Sequence, residues 1–141
     1  MTERTFNRVS PLQDVAVQGR FGADKGVVGV TFTVRHPMSI VTVIARAGQG
    51  DATAAVLKGD DAQWAGPDQW FVLAQHRGEG ALYRELKAKL TGLASVSDQS
   101  HGRVIIRVAG PKARAVLAKG TPGDLHPDAF PVGKSALTQM A

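Results

Sequence analysis

The chain has 141 residues, 43% of them hydrophobic, with 17 Lys and Arg against 12 Asp and Glu and no cysteine. This length corresponds to one domain whose core can form without metal or disulfide support. The lack of cysteine excludes disulfides, thiolate metal sites and a cysteine nucleophile. No apolar run approaches the roughly 20 residues of a membrane helix, and no signal-peptide core follows Met1. We therefore expect a cytoplasmic protein without membrane contact.

The net charge of +5 is unevenly distributed. Between Arg84 and Lys119 there are eight basic residues and only two acids, Glu85 and Asp98. Such a segment predicts a surface that attracts an anionic cofactor or an acidic partner. Nucleic acid is not expected as the partner, because Tyr83 is the only aromatic residue beside these cations and no nucleic-acid-binding motif is present.

The N-terminal half predicts a leader and the first strands. Residues 1–26 lack periodicity and are interpreted as a leader segment that lies on the domain or on a partner. Alternating apolar residues predict a half-buried strand from Val28 to Val34. The continuous β-branched run from Ser39 to Arg46 predicts a central strand that is covered on both faces.

The middle of the chain predicts a short helix, a strand and a longer helix. Asp51 is expected to cap the short helix, with Ala55 and Val56 facing inward. After the Gly66-Pro67-Asp68 turn, an apolar strand is predicted from Gln69 to Ala74. The longer helix carries leucines at spacings of four, four and three residues. These leucines are Leu82, Leu86, Leu90 and Leu93.

The last elements complete a domain over residues 27–120. The segments 95–99 and 103–109 predict two strands of a hairpin around Gly102. A helix is predicted from Gly110 to Lys119, with Ala113, Val116 and Leu117 on its buried side. Residues 121–141 are interpreted as a peripheral loop or tail. This order predicts an α+β fold with two β-α-β units and a mixed or antiparallel sheet that has its helices on one face.

Two groups of residues resemble catalytic or metal-binding sets. Asp124, His126 and Asp128 alternate in a way that would suit a divalent ion, but no fourth ligand is identifiable and no metal site is expected. Asp98, Ser100 and His101 have the side chains of a nucleophilic triad. Adjacent strand residues point to opposite faces, so the favoured interpretation is a turn in which Asp and Ser bind backbone groups. No catalytic residue is predicted.

Several short motifs, in their order along most of the chain, resemble the gamma subunits of heterotetrameric sarcosine oxidase. They are Ser10-Pro11-Leu12, Gly66-Pro67-Asp68-Gln69-Trp70-Phe71-Val72-Leu73, Ser97-Asp98-Gln99-Ser100-His101-Gly102-Arg103, Gly110-Pro111, Leu117-Ala118-Lys119-Gly120 and Asp124-Leu125-His126-Pro127. The Gly-Pro-Asp-x-Trp strand also resembles the wider group of T-protein and folate-dependent aminomethyl-transfer domains. The resemblance implies a T-protein/folate-binding-like fold.

The resemblance further implies a non-catalytic structural subunit of a complex that oxidatively demethylates sarcosine to glycine, with tetrahydrofolate as the one-carbon acceptor. FAD, FMN, NAD and tetrahydrofolate would then be held by other subunits, and the large alpha subunit would be the main partner. The basic segment would supply the docking contacts. The candidates for this role are Arg84, Lys87, Arg103, Arg107, Arg114 and His126.

The alternative is a stand-alone folate-binding module. In that hypothesis Trp64 or Trp70 would lie against the pteridine, and Arg103 or Arg107 near the glutamate. Trp64, Trp70 and Phe71 are nevertheless more typical of core packing beside a strand. The family usually continues beyond the Asp124-Leu125-His126-Pro127 passage, so an uncovered edge or apolar face is expected, with self-association or dependence on a partner.

Overall fold

The computed structural model describes residues 8–141. Within that range the chain forms six strands and three helices. In chain order they are β1 (Thr31–Arg35), β2 (Met38–Ala45), α1 (Gly50–Val56), β3 (Asp61–Gly66), β4 (Gln69–Gln75), α2 (Ala81–Lys89), β5 (Ala94–Asp98), β6 (Ile105–Ala109) and α3 (Ala113–Leu117).

Four of the strands form the main sheet in the order β3-β4-β2-β5, and all neighbours are antiparallel. Because β2 and β3 are both antiparallel to β4, they run parallel to each other on its two sides. The same holds for β4 and β5 on the two sides of β2. The unit β2-α1-β3-β4-α2-β5 is therefore a split β-α-β arrangement of the ferredoxin-like type. The predicted α+β class and antiparallel sheet are confirmed.

The core lies between this sheet and helix α2. Val41 and Val43 of the central strand β2 and Val72 of β4 point to the helix side and are fully or almost fully buried. The predicted leucine stripe meets them, with Leu86 completely buried. Leu82 and Leu90 belong to the same cluster, and Leu93 packs at its margin. The leucine spacing therefore predicted the helix and its buried face, but α2 ends at Lys89, so Leu93 lies beyond the helix and not on it as predicted.

Helix α1 differs from its sequence prediction. It starts one residue after Gln49, which makes no side-chain cap, so the prediction that Asp51 caps it is wrong. Ala55 is exposed and Val56 is half-buried, whereas Thr53 is the buried residue. The Thr53 hydroxyl donates to the Leu93 carbonyl at 3.4 Å. A buried threonine is tolerated here because its polar group has a partner.

Strand β3 was not predicted from the sequence. It forms a hairpin with β4 through the Gly66–Gln69 turn, and its register shifts between Trp64 and Gly66. Gly66 has φ 144°, a conformation that side chains with a Cβ rarely adopt. The strand has a mixed sequence without clear alternation, so its place at the sheet edge and not its own pattern determines its conformation.

The hairpin predicted for residues 95–109 is wrong. β5 pairs with β2, whereas β6 leaves the main sheet and pairs antiparallel with β1. At the end of β5, the Gln99 N–H donates to the Ile40 carbonyl at 2.8 Å, which keeps the chain on β2. The chain then crosses to β1. We call the β1–β6 pair the ribbon.

The ribbon and α3 are more exposed than predicted. Phe32, expected to face inward from a half-buried strand, is 60% exposed. No residue of α3 is buried: Ala113 and Leu117 are half-buried and Val116 is exposed. The prediction of a buried α3 face is therefore wrong. Only α1 and α2 contribute to the core cluster on the helix side of the main sheet.

The two ends of the chain carry no helix or strand in the described range. Residues 8–26 and 121–141 are mostly exposed. The predicted leader also includes residues 1–7, which lie outside the described residues. Within residues 8–141 the longest helix is α2, of nine residues, and none is long and apolar enough to cross a membrane.

Candidate functional site

Two of the predicted docking residues, Arg84 and Lys87, lie on the outer side of α2 and are exposed. The Arg84 guanidinium donates to the Glu79 carbonyl at 3.2 Å. The Lys87 ammonium donates to the Tyr83 hydroxyl at 3.1 Å and lies 5.3 Å from the centre of the same ring. Both cations keep most of their charge available to solvent.

The same side of α2 carries an ion-pair network. Glu85 pairs with Lys89 at 2.9 Å and also contacts Arg77, and the hydrogen bonds from these two cations lower the pKa of Glu85. Lys89 in turn has a raised pKa because of its hydrogen bond with Glu85 and the nearby charge of Asp60. This network joins the helix to the segments before β3 and after β4, a structural function.

The two folate candidates, Trp70 and Arg103, lie on opposite faces of the main sheet. Trp70 packs against the core cluster on the helix side. Its neighbour Phe71 points to the other face, and the Arg103 guanidinium lies 4.7 Å from the centre of that ring. One flat ligand cannot contact Trp70 and Arg103 from a single face. Trp70 and Arg103 therefore cannot form one folate site in which Trp70 contacts the pteridine and Arg103 contacts the glutamate.

The face that carries Phe71 forms an apolar cleft with the residues that follow β5. The cleft has a volume of about 480 Å³. Its walls are formed by Ile40, Gln63, Phe71, Leu73, Gly102, Arg103, Val104 and Ile105. Arg103 already covers the Phe71 ring, so the flat surface of that ring is occupied by a side chain of the protein itself.

The other docking candidates are distributed over the ribbon and the C-terminal segment. Arg107 is exposed on β6, opposite Thr33 of β1. Arg114 points inward, where its guanidinium donates to the carbonyls of Leu125 (2.6 Å) and Phe130 (3.0 Å). It thereby fixes the segment that contains Leu125 and Phe130 to α3, and its Nη1 group is bound within the chain.

His126 lies in a local turn of the C-terminal segment. Its backbone N–H donates to the Asp124 carboxylate at 2.9 Å, and its Nδ1 lies 3.3 Å from the Asp128 backbone nitrogen. The alternating residues thus make turn contacts. Among residues 8–141 no group of three or more His, Asp or Glu side chains is arranged to hold a metal ion.

The structure does not bring the predicted basic residues onto one surface. Arg84 and Lys87 lie on α2, which covers one face of the main sheet, whereas Arg103 lies over the other face. Arg107 belongs to the separate ribbon. The basic segment of the sequence therefore folds into at least two surfaces with different neighbours.

The Asp98, Ser100 and His101 group is a structural turn, as the favoured sequence interpretation predicted. The Ser100 hydroxyl donates to the Asp98 carboxylate at 2.5 Å and accepts the Ile40 N–H at 3.0 Å. His101 points away, with Nε2 2.9 Å from the Glu79 carboxylate. A serine held by its neighbours in this way, without an imidazole base, is not arranged as a nucleophile.

A polar cluster that the sequence did not predict lies at the end of β5, around Glu79. Arg8 Nε donates to Glu79 at 2.8 Å and Arg8 Nη1 donates to the buried Ser39 hydroxyl at 3.2 Å. His36 Nε2 lies 3.1 Å from the Arg8 carbonyl. Arg8 thereby attaches the leader to the domain. The members of the polar cluster come from four segments that are distant in the sequence and share no motif, so they meet only in the folded chain.

Electrostatics favours the ionised form of Glu79 in this cluster. Burial alone would raise the pKa of its carboxyl group, but the hydrogen bonds from His101 and Arg8 outweigh it and lower the pKa. A lowered carboxyl pKa opposes action as a proton donor near neutral pH. The cluster is thus a fixed ion pair at the chain surface.

Comparison with known proteins identifies the family. The profile described as "Sarcosine oxidase, gamma subunit family" matches residues 47–141. The chain belongs to this family. The resemblance drawn from its motifs is confirmed.

Relatives with the name "Sarcosine oxidase subunit gamma" support the assignment. The chain is 39% identical over 89 residues to one from Arthrobacter sp, covering 62% of this chain and 43% of that protein. It is 36% identical over 94 residues to one from Corynebacterium sp. (strain P-1), covering 66% and 45%. The chain therefore spans less than half the length of the relatives it matches.

A solved structure has the same fold over most of this chain. It is a chain of "Heterotetrameric Sarcosine Oxidase from Corynebacterium sp. U-96 in complex with pyrrole 2-carboxylate", with a TM-score of 0.67 and 27% sequence identity. The match covers 79% of this chain and 65% of that one. The T-protein-like label remains a prediction from the sequence resemblance, beside the split β-α-β topology that is observed.

Proposed function

We propose that this chain is a non-catalytic structural subunit of a heterotetrameric oxidase that demethylates sarcosine to glycine, with tetrahydrofolate as the one-carbon acceptor. Membership of the gamma subunit family supports the proposal most directly. In the proposal FAD, FMN, NAD and tetrahydrofolate are bound by other subunits, the large alpha subunit is the main partner, and the assembly is cytoplasmic.

The arrangement of the polar side chains agrees with a non-catalytic role. Ser100 is held between Asp98 and β2, and Glu79 is held between Arg8 and His101. Ser100, which the sequence singled out, and Glu79, which it did not, are thus both fixed in structural contacts. The cations Arg84, Lys87 and Arg107 are exposed and form no ion pair within residues 8–141, so they suit contacts with acidic surfaces.

The proposal is tested by purifying the tagged full-length chain from its native cell under gentle conditions. We expect larger subunits to copurify, the complex to show a flavin absorption spectrum, and sarcosine to be oxidised by the complex but not by the chain alone. Recovery of the chain without flavin-containing subunits would contradict the proposal. Turnover of sarcosine by the isolated chain would contradict its non-catalytic part.

A second measurement separates this role from that of a folate-binding module. Tetrahydrofolate is titrated into the isolated chain while tryptophan fluorescence is followed. Trp70 packs on the helix side, away from Arg103, and we expect no saturable quenching. The matched control is the variant Trp70→Phe, which identifies any signal that comes from the half-exposed Trp64. Saturable quenching would support the folate-binding hypothesis instead: its loss in Trp70→Phe would place Trp70 at the pteridine, and its retention would place Trp64 there.

A further inference from the structure

Two clefts lie side by side between the ribbon and the face of the main sheet that α2 leaves uncovered. The first is the cleft of about 480 Å³ described above, and the second has a volume of about 350 Å³. Leu73 of β4 and Ile105 of β6 line both clefts, so the two form one elongated depression. We call this depression the groove.

The floor of the groove is apolar. Ile40 of β2 and Leu73 of β4 are register partners and point away from α2. Phe71, two residues from Leu73 along β4, points the same way. Ile40 is 4% exposed, whereas Phe71 and Leu73 are half-buried. Two of the three floor residues can therefore still bury apolar surface against a ligand, which would favour binding.

One wall of the groove is cationic. Arg35 and Ile105 are register partners in the ribbon and both line the groove, so the side of the ribbon that carries them faces it. Arg107 lies on that same side, because strand residues two positions apart share a face. Arg103 lines the groove and lies over the Phe71 ring. None of these three arginines forms an ion pair within residues 8–141.

The opposite wall contributes the one acidic residue among those that line the groove in the described range, Asp61. Its carboxylate accepts a hydrogen bond from the Gln63 amide at 2.6 Å, and the Gln63 carbonyl oxygen accepts one from the Ser135 hydroxyl at 2.8 Å. Three arginines thus face a single aspartate. This excess of positive charge favours an anionic occupant, and it opposes a second copy of the chain, which would bring the same excess.

We propose that the groove binds an extended segment of a larger oxidase subunit in which apolar side chains are flanked by carboxylates. This inference rests on the function proposed above and specifies the surface and the chemistry of the segment that it binds. The elongated shape fits an extended chain, which presents a side chain to the floor at every second residue. The carboxylates would pair with Arg35, Arg103 and Arg107, since a guanidinium can bind a carboxylate through two hydrogen bonds.

A nucleic acid is the other polyanion that such cations could bind. Proteins bind single strands by stacking the bases on accessible aromatic rings. Phe71 is the only aromatic residue that lines the groove within residues 8–141, and the Arg103 guanidinium lies 4.7 Å from the centre of its ring. A nucleic acid would therefore pair with the arginines and leave the apolar floor uncovered, whereas a protein segment would use both.

The cationic wall is tested with the double variant Arg103→Glu and Arg107→Glu in the tagged full-length chain, produced in its native cell. The matched control is Arg46→Glu with Lys58→Glu, which makes the same change of charge at two exposed residues that do not line the groove. We expect the groove variant to recover about tenfold less flavin-containing subunit than wild type, and the control to recover a similar amount.

Circular dichroism and the thermal midpoint of each purified chain verify that the variants are folded. A folded groove variant that recovers as much flavin-containing subunit as wild type would overturn the inference. Equal losses in the groove variant and the control would overturn it as well, because the overall charge and not the groove would then determine binding.

The occupant is identified by photo-crosslinking within the complex. A benzoylphenylalanine in place of Gln75, an exposed residue that lines the groove, is compared with one in place of Ala88, which is exposed on α2. We expect position 75 to crosslink to a segment of a flavin-containing subunit that has Asp or Glu beside apolar residues, and position 88 not to reach that segment. A crosslink from position 75 to nucleic acid or to a second copy of the chain, or none in an intact complex, would contradict the inference.

The outcomes separate this inference from the proposed function. If the wild-type chain recovers no flavin-containing subunit, the proposed function itself fails. If wild type recovers it, but the folded groove variant does so equally well and position 75 gives no crosslink to it, the proposed function stands and the groove is not the binding site.

Discussion

The main sheet and the ribbon contain strands of similar composition but differ in how they are stabilised. In the main sheet, β2 has six consecutive buried residues, and α2 covers Val41 and Val43. In the ribbon, Phe32 is mostly exposed, and the helix that follows the ribbon, α3, has no buried residue. Alternation of apolar residues therefore shows that a strand forms, but not whether its apolar face is covered within the same chain. The ribbon therefore gains less stability from burial within the described residues than the main sheet does.

The largest difference between the two regions should appear when each loses apolar side-chain volume. Leu86→Ala removes a completely buried side chain and leaves a cavity, so we expect a loss of about 2–5 kcal/mol in the free energy of unfolding. Val116→Ala on α3 is the control, since Val116 is 38% exposed, and we expect a change within about 0.5 kcal/mol. Denaturant titration measures both. Similar losses for the two variants would contradict the contrast between the regions.

The next largest effect should come from the point where the chain leaves the main sheet. Ser100→Ala removes the acceptor of the buried Ile40 N–H and should destabilise the protein by about 1–3 kcal/mol. Ser95→Ala on β5 is the control, because Ser95 is exposed. Thermal denaturation compares the two variants. A wild-type midpoint for Ser100→Ala would show that this hydrogen bond does not hold β5 on β2.

At the end of the ribbon, a substitution should act locally. Gly110 has φ 123°, and a Cβ there would lie 2.5 Å from the Gly29 carbonyl oxygen. Gly110→Ala should therefore cost about 1–2 kcal/mol through strain and displacement of the two segments. Gly102→Ala is the matched control, since nothing lies within 4 Å of its added Cβ and its φ is not positive. Hydrogen exchange should show faster exchange in β1 and β6 for Gly110→Ala, with β2 protected as in wild type.

The sequence predicted best the elements whose apolar residues recur with the spacing of the face that the fold buries. Leu82, Leu86 and Leu90 predicted α2 because their spacing matches the face that the sheet covers. The continuous run in β2 predicted a central strand for the same reason. β3 was missed because an edge strand with one packed neighbour needs no regular alternation of its own. Local pattern therefore predicts buried elements well and edge elements poorly.

Strand pairing and the polar cluster required the three-dimensional fold. β5 and β6 are neighbours in the sequence, yet Ser100 fixes the end of β5 to β2, and β6 pairs with β1. Glu79 acquires its partners Arg8 and His101 only when distant segments meet. Contacts between such segments leave no motif in a single sequence. The docking candidates were likewise grouped by sequence position, although Arg103 and Arg84 lie on different surfaces.

The smallest expected effect concerns the ion pair that attaches the leader to the main sheet. The pKa of Glu79 is lowered in the folded chain. The ionised carboxylate therefore contributes its full stabilisation above the ordinary glutamate pKa of 4.5, and this stabilisation is lost as the pH falls through the lowered pKa of the folded chain. Glu79 is 38% exposed at its side chain, so solvent screening keeps the contribution small. We expect Glu79→Gln to be slightly less stable than wild type at neutral pH and the difference to disappear in acid.

Thermal midpoints of wild type and Glu79→Gln at several pH values between neutral and strongly acidic conditions measure this difference. Asp14→Asn is the control, because Asp14 is an exposed carboxyl group of the leader. Its midpoint should follow that of wild type across the same range. A difference between Glu79→Gln and wild type that grows as the pH falls would contradict the assignment, because an ionised carboxylate held by Arg8 and His101 can only lose its contribution when it is protonated. The leader would then be attached to the domain by other contacts.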